Sequence, residues 1–177
     1  IIIAAGAQTS GLTRQLGFPL PVVGGKGYSF DVSPGRMPRQ AIQTLDTHLA
    51  ISPMGEMMRV AGAMDFTSSP TRIPSSRINA MRRSAQHLMG PWTAESPAWA
   101  GIRPVAPDGL PMIGRLAPDS NAFVATGYQM LGMTISPAAG TTLAEAIASG
   151  DDGTSGPFSA QRFRGQRREL DWAAPRH

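Results

Sequence analysis

The sequence predicts a mixed α/β (α+β) fold, and three observations carry that prediction. Residues 1–5 form a continuous apolar, β-branched run that stops at Gly6, the pattern of a short strand covered on both faces in a parallel sheet. Two short apolar runs, 49–51 and 57–61, flank the Pro/Gly turn 52–56 and read as a β-hairpin. Residues 122–126 form a second buried strand. It leads through a turn containing Gly127 and Gly132 into a helix over 133–149 that is closed by Gly150, making a βα unit. A chain of 177 residues, 41% hydrophobic and 16% charged, holds one ordinary domain or two halves of a split architecture. Its 20 Gly and 16 Pro predict many turns and argue against a long helical bundle.

The remaining elements follow in chain order. Ser10 is an N-cap candidate, and Leu12 and Leu16 stand at helical spacing before Gly17, so a short helix is expected over 10–16. Residues 18–30 read as a strand interrupted by Pro and Gly, a crossing between layers. Residues 67–76, with Pro70 and Pro74, are expected as loop. An amphipathic helix over 79–88 sets Ile78, Met81, Ala85 and Leu88 against a polar face of Arg82, Arg83 and Gln86, and ends at Gly90-Pro91. Residues 99–114 are a dense run of turn residues around Arg103. Beyond Asp151 the chain is polar, with an Arg-rich helix and a frayed tail expected after Ser159.

Composition excludes several chemistries. There is no cysteine, hence no disulfide scaffold, Cys-ligated zinc, thiolate nucleophile or iron–sulfur cluster. His48, His87 and His177 form no metal-ligand spacing, so no metal site is expected. No Gly-x-Ser-x-Gly elbow, His-Glu-x-x-His pair or P-loop is present. The net charge of +4 comes from Arg162, Arg164, Arg167 and Arg168; without them twelve basic and twelve acidic groups cancel. That stretch reads as a solvated helix end, and no nucleic-acid partner is expected. No apolar run reaches the ~20 residues of a membrane span, and the first residues lack a signal peptide's charged start, so a soluble chain is expected. Met54, Met57, Met58 and Met64 read as adaptable core filling.

Two places could hold chemistry. Backbone N–H groups at the start of the helix after Gly127–Gly132 lack intrahelical partners and would attract a phosphate, a carboxylate or a delocalised anion. The same glycines are equally read as punctuation between strand and helix. Arg103, framed by Gly101 and Pro104 beside Trp99, suits a two-pronged bond to a carboxylate. An Arg that caps a turn or pairs with Asp108 is the alternative.

Taken together, the segments Ala4-Ala5-Gly6-Ala7, Lys26-Gly27-Tyr28-Ser29, Trp99-Ala100-Gly101-Ile102-Arg103-Pro104, Pro107-Asp108-Gly109-Leu110-Pro111-Met112-Ile113-Gly114, Ala125-Thr126-Gly127-Tyr128 and Leu131-Gly132-Met133-Thr134 resemble the FAD-dependent D-amino acid oxidase superfamily. The nearest likeness is to its bacterial D-amino acid dehydrogenase branch. The resemblance implies the C-terminal part, roughly two fifths, of an FAD-binding Rossmann-like domain with an antiparallel-sheet substrate domain inserted. Residues 1–17 and 99–150 would belong to the FAD domain, 18–98 to the substrate sheet and 151–177 to a C-terminal helix and basic tail. The family's Gly-x-Gly-x-x-Gly pyrophosphate turn is not in this sequence and would lie in a missing N-terminal half.

The resemblance further implies that Arg103 binds the substrate α-carboxylate. Ala5 and Gly6 would lie near the adenosine of FAD and Gly101 would touch the cofactor. Tyr128, Gln129, Met130, Leu131, Gly132, Met133 and Thr134 would run along the isoalloxazine. The implied reaction converts an amino acid, most nearly a D-amino acid, to an imino acid that water hydrolyses to a 2-oxo acid and ammonia, with a quinone or oxygen as acceptor and no dedicated base. The location implied is cytoplasmic, or peripheral at the inner membrane. Tyr128 stands where family members often have His, and Met130 where glycine oxidases have Arg, which argues against a glycine oxidase. The alternative is a truncated, non-catalytic fragment that keeps the substrate sheet and cannot hold FAD alone.

Overall fold

Residues 1–66, 72–150 and 156–164 are described by the structure, a computed structural model. The chain opens with β1 (Ile2–Ile3) and a 3₁₀ turn at Gly6–Gln8 that runs into α1 (Thr9–Gln15). Then come β2 (Val23–Pro34), β3 (Ile42–Gln43), β4 (Leu49–Met54), β5 (Met57–Phe66) and α2 (Ser75–Met89). After α2 follow β6 (Trp92–Glu95), β7 (Trp99–Val105), β8 (Met112–Arg115), β9 (Phe123–Thr126), α3 (Gly132–Ser149) and a 3₁₀ turn at Ala160–Phe163. These elements divide into two units, one of residues 1–25 with the described residues from 103 onward, the other of residues 26–102.

In the first unit the sheet order is β1-β9-β8. β1 runs parallel to β9, with Ile3 opposite Val124, and β8 runs antiparallel to it, with Met112 opposite Thr126. Leu20, Val22, Ala106, Met112, Leu116, Ala122 and Val124 form the core. The run at 1–5 is not covered on both faces as its composition predicts. Only Ile3 is buried in this chain, while Ile1 is 82% and Ile2 57% exposed; β1 pairs β9 at the end of the sheet. α1 also differs from expectation: Ser10 lies inside the helix, and its buried residues are Thr9 and Thr13 where Leu12 and Leu16 were expected. The Thr13 hydroxyl both donates to the Ser10 carbonyl (3.3 Å) and accepts from the Leu20 amide (3.3 Å), so it fastens the helix end to the returning chain.

The second unit is a sheet in the order β3-β4-β5-β2-β6, with β7 also paired to β2. The expected interruption of residues 18–30 does not occur within the strand. Pro19 and Pro21 precede β2, so residues 23–33 keep every amide the ladder needs. The β4–β5 hairpin forms as predicted but with a tighter turn, Met54 pairing Met57 around Gly55 at φ +65°. Along β5 the strand period buries Met58, Val60 and Gly62; Met64 has the same parity but follows Ala63, left-handed at φ +53°, and is exposed, so only some of the methionines fill the core. α2 starts four residues earlier than its apolar spacing predicts, with Pro74 extended just ahead of it, and stops at Gly90 at φ +80°. Ile78, Met81 and Ala85 pack it onto Tyr28, Phe30, Leu49, Ile51, Met58 and Val60; Leu88 is left exposed. Residues 99–105 and 112–115 are strands rather than a continuous turn run, because pairing with distant partners overrides a Gly/Pro-rich composition. The Arg-rich helix expected after Ser159 falls mostly outside the described residues; what is described of it is the 3₁₀ turn.

Three carboxylates brace the second unit. Asp65 accepts from the Tyr28 hydroxyl (2.7 Å) and from Arg77 (2.6 Å), Asp31 takes the fork of Arg59 (2.8 and 2.9 Å), and Glu95 that of Arg82 (2.9 and 2.5 Å). Each carboxyl is held below its ordinary range, Asp65 chiefly by the Tyr28 hydroxyl and the other two by their arginines. A carboxyl whose pKa falls on folding adds stability above its unfolded value and loses it as pH drops through the folded one. Urea midpoints of the chain are therefore expected to stay level near neutrality and to fall below about pH 4, near the unfolded carboxyl pKa. An Asp65→Asn variant should show a shallower acid limb; an unchanged limb would remove Asp65 from the account. Burial, and then the Asp65 carboxylate, raise the Tyr28 pKa, so its hydroxyl stays a donor throughout that range.

Candidate functional site

Of the sequence-marked residues, Ala5, Gly6, Arg103 and 127–134 belong to the first unit and Gly101 to the second. Gly127 leaves the strand at φ +79°, a left-handed conformation, and an added Cβ would sit 3.3 Å from both Ala106 Cβ and Met112 Cε. Gln129 is left-handed as well, at φ +52°. The turn is pinned to the end of β7 by a bridge between Val105 and Tyr128 and by the Gln129 amide donating to the Pro104 carbonyl (3.0 Å). The Leu131 amide donates to the Tyr128 carbonyl (2.9 Å), and the first helical bond runs from Ile135 N to Leu131 O (3.0 Å).

α3 then begins with no side-chain cap and no acidic residue in its first turn, so the positive end of its dipole is not neutralised locally. Pro137 inside the helix has no N–H to give the Met133 carbonyl; the Ser136 hydroxyl donates to it instead (3.2 Å). Met133 is 91% and Met130 66% exposed, Leu131 and Thr134 are exposed, and Gly132 is half-buried. Tyr128 and Gln129 are half-buried, and burial pushes the Tyr128 pKa up, so its phenol stays neutral at physiological pH.

Arg103 is half-buried on β7, next to the Pro104 carbonyl that anchors the turn. Among the described residues its side chain makes no hydrogen bond or ion pair. The alternative pairing with Asp108 is overturned, because that carboxylate belongs to Arg162, at 2.6 and 3.0 Å, which also holds its pKa below the ordinary range. The Trp99 ring carries the guanidinium of Arg59, 5.4 Å from its centroid. Gly101 is half-buried, with the Trp99 ring 3.5 Å from where its Cβ would be.

Ala5 and Gly6 lie at the 3₁₀ turn after β1, Gly6 at φ +56°, and the Gly6 carbonyl accepts from the buried Thr126 hydroxyl (3.2 Å). A cleft of about 650 Å³ opens there, between Ala4, Gly6, Thr126 and Tyr128 on one side and Ala139 and Gly140 of α3 on the other. A second cleft, of about 600 Å³, is lined by Leu110, Pro111, Gln129, Leu131, Ile135 and Phe158. Arg103 lines neither cleft. Sequence reasoning missed Arg162 and Phe158 here: they lie some fifty residues from the loop they touch, and no local pattern marks them. Among the described residues no three His, Cys, Asp or Glu side chains cluster as metal ligands, and no helix is long and apolar enough to cross a membrane. The uncapped amide end, with Gly6 and with Gly127 next to Thr126 both left-handed, fits a flat, carbonyl-bearing cofactor that comes close to backbone, which is what FAD requires.

The family model for FAD dependent oxidoreductases matches residues 1–146. The D-amino acid dehydrogenase of Agrobacterium fabrum is 32% identical over 152 residues, covering 83% of this chain and 36% of that protein. An uncharacterized oxidoreductase in the pyp 5' region of Halorhodospira halophila is 30% identical over 175 residues, covering 92% of this chain and 78% of its own length. Among solved structures, the glycine oxidase of Geobacillus kaustophilus superposes with a TM-score of 0.78 at 25% identity, over 93% of this chain and 45% of that one. The chain thus spans about a third of the length of the D-amino acid dehydrogenases it matches, their C-terminal part. On the extent of these matches, the chain belongs to the FAD dependent oxidoreductase family.

Proposed function

We propose that this chain supplies the substrate-carboxylate arm and the flavin-facing turn of an enzyme that oxidises the CH–NH₂ group of an amino acid, a D-amino acid first of all, to an imino acid. The observation that carries this reading is the bond from the Gln129 amide to the Pro104 carbonyl (3.0 Å). It ties the strand end bearing Arg103 to the open amide end of α3. A guanidinium with all its donors to spare grips a carboxylate through two parallel bonds and fixes the α-carbon beyond it. When bound, FAD supplies the two-electron acceptor for that carbon. The amides of Gly132, Met133 and Thr134 would face its carbonyl edge and favour negative charge there. Ala5 and Gly6 would leave room for its adenosine end. Tyr128 stays neutral and takes no proton, in keeping with a reaction in which a deprotonated amine drives the α-hydrogen out without a dedicated base. Residues 18–98 would carry the rest of the substrate contact, and a quinone or oxygen would take the electrons.

The test is anaerobic titration of the whole flavoprotein with D- and L-amino acids. Absorbance at about 450 nm, the oxidised-flavin band, is expected to bleach with a D-amino acid and to persist with its mirror image. Bleaching by neither would end the proposal; bleaching by the L-form alone would reverse its stereochemistry.

A further inference from the structure

The Arg-rich stretch that the charge count marks as a solvated helix end holds one side chain of another kind. Arg162, in the 3₁₀ turn Ala160–Phe163, has a side chain only 16% exposed, and all five of its guanidinium N–H groups are engaged. Nε donates to Asp108 Oδ2 (2.6 Å). Nη2 donates to Asp108 Oδ1 (3.0 Å) and to the Leu110 carbonyl (2.8 Å). Nη1 donates to the carbonyls of Pro111 (3.1 Å) and Ser159 (2.8 Å). The Phe163 ring lies 4.5 Å from the guanidinium carbon. The 108–111 loop is thus gripped at one carboxylate and two carbonyls.

The other side of that loop bears on the turn after β9. A Cβ on Gly109 would stand 3.1 Å from Gln129 Nε2, and one on Gly127 would stand 3.6 Å from the Leu110 carbonyl oxygen. The left-handed residues Gly127 and Gln129 therefore border the loop that Arg162 grips. Arg162 also lies beyond the stretch that the family model matches, which ends at residue 146.

We propose that Arg162 is a positioning residue: through the 108–111 loop it holds the 127–132 turn in the conformation that presents the α3 amides. The functional meaning rests on the reading of that turn as flavin-facing, but the test uses no flavin, so a failure of either is seen separately. Lysine has three donors on one atom and cannot span a carboxylate and three carbonyls, so Arg162→Lys removes the geometry while keeping the charge. Asp108→Asn weakens the same clamp from the other side. Amide hydrogen exchange, read residue by residue by NMR on the 177-residue chain, is expected to quicken at Gln129 and Leu131 by at least about 10-fold in both variants. Val124 in β9 and Val60 in β5 should keep their rates within about twofold. Acceleration confined to Gly109 and Leu110 overturns the proposal, because the clamp would then be local. Equal acceleration of β9 in both variants overturns it as well, since Arg162 would then stabilise the unit as a whole.

Discussion

An Arg103→Ala variant, assayed in the whole enzyme, is expected to lose kcat/KM by about 10²–10³-fold, mostly through KM, the range that follows from leaving one partner of a charge-assisted pair alone. In the proposed role Arg103 would touch the part of the substrate that does not react, so its contribution would be nearly equal in ground and transition states. Arg103→Lys should recover only part of the loss, because an ammonium meets a carboxylate as a point charge without the planar fork. Among the described residues the Arg103 side chain holds no other group, so thermal stability should be unchanged in both variants. That pairing of a large kinetic effect with no change in melting separates a substrate contact from a structural arginine. Steady-state kinetics with a D-amino acid, alongside a melting curve, checks it; an unchanged KM would take Arg103 out of the site.

The parts of this architecture that were legible in sequence are those whose signals are local. The β9–turn–α3 unit could be read because an apolar run, two glycines and a small-residue helix follow one another within thirty residues. The β4–β5 hairpin could be read because its partners flank its own turn. β7 and β8 could not, since Trp99–Val105 pairs with β2 and Met112–Arg115 with β9, and Gly101, Pro104 and Gly114 mask the strand pattern until those partners are in place. For β1, composition foretold burial on both faces, whereas exposure depends on which neighbours the sheet provides. The Arg162 clamp was invisible for a third reason: net charge counts a guanidinium the same whether water or five acceptors surround it. The Gly/Pro frame singles out Arg103 without saying what it holds, and the arrangement adds only its covalent neighbour Pro104, hydrogen-bonded to Gln129.

Gly127→Val is expected to destabilise the first unit by about 2–4 kcal/mol, the sum of a left-handed β-branched residue and overpacking of a filled site. At φ +79° any side chain crowds its own carbonyl, and valine has one fewer way to turn aside. Its Cβ would already stand 3.3 Å from Ala106 Cβ and Met112 Cε, both in the core, so those side chains must give way to seat it. Gly140, thirteen residues further on, is the counterpart: it lies mid-helix and exposed, with nothing within 4 Å of an added Cβ. Gly140→Ala should therefore stabilise the chain by roughly 1 kcal/mol, the helix-propensity difference. Denaturant melts of the two variants give the comparison. The Gly127 variant should also lose protection at the Gln129 amide, since that bond to Pro104 depends on the turn. If Gly127→Val melted like the parent, the turn would tolerate an ordinary backbone. The close approach that the proposed flavin-facing role asks of this turn would then have no structural basis.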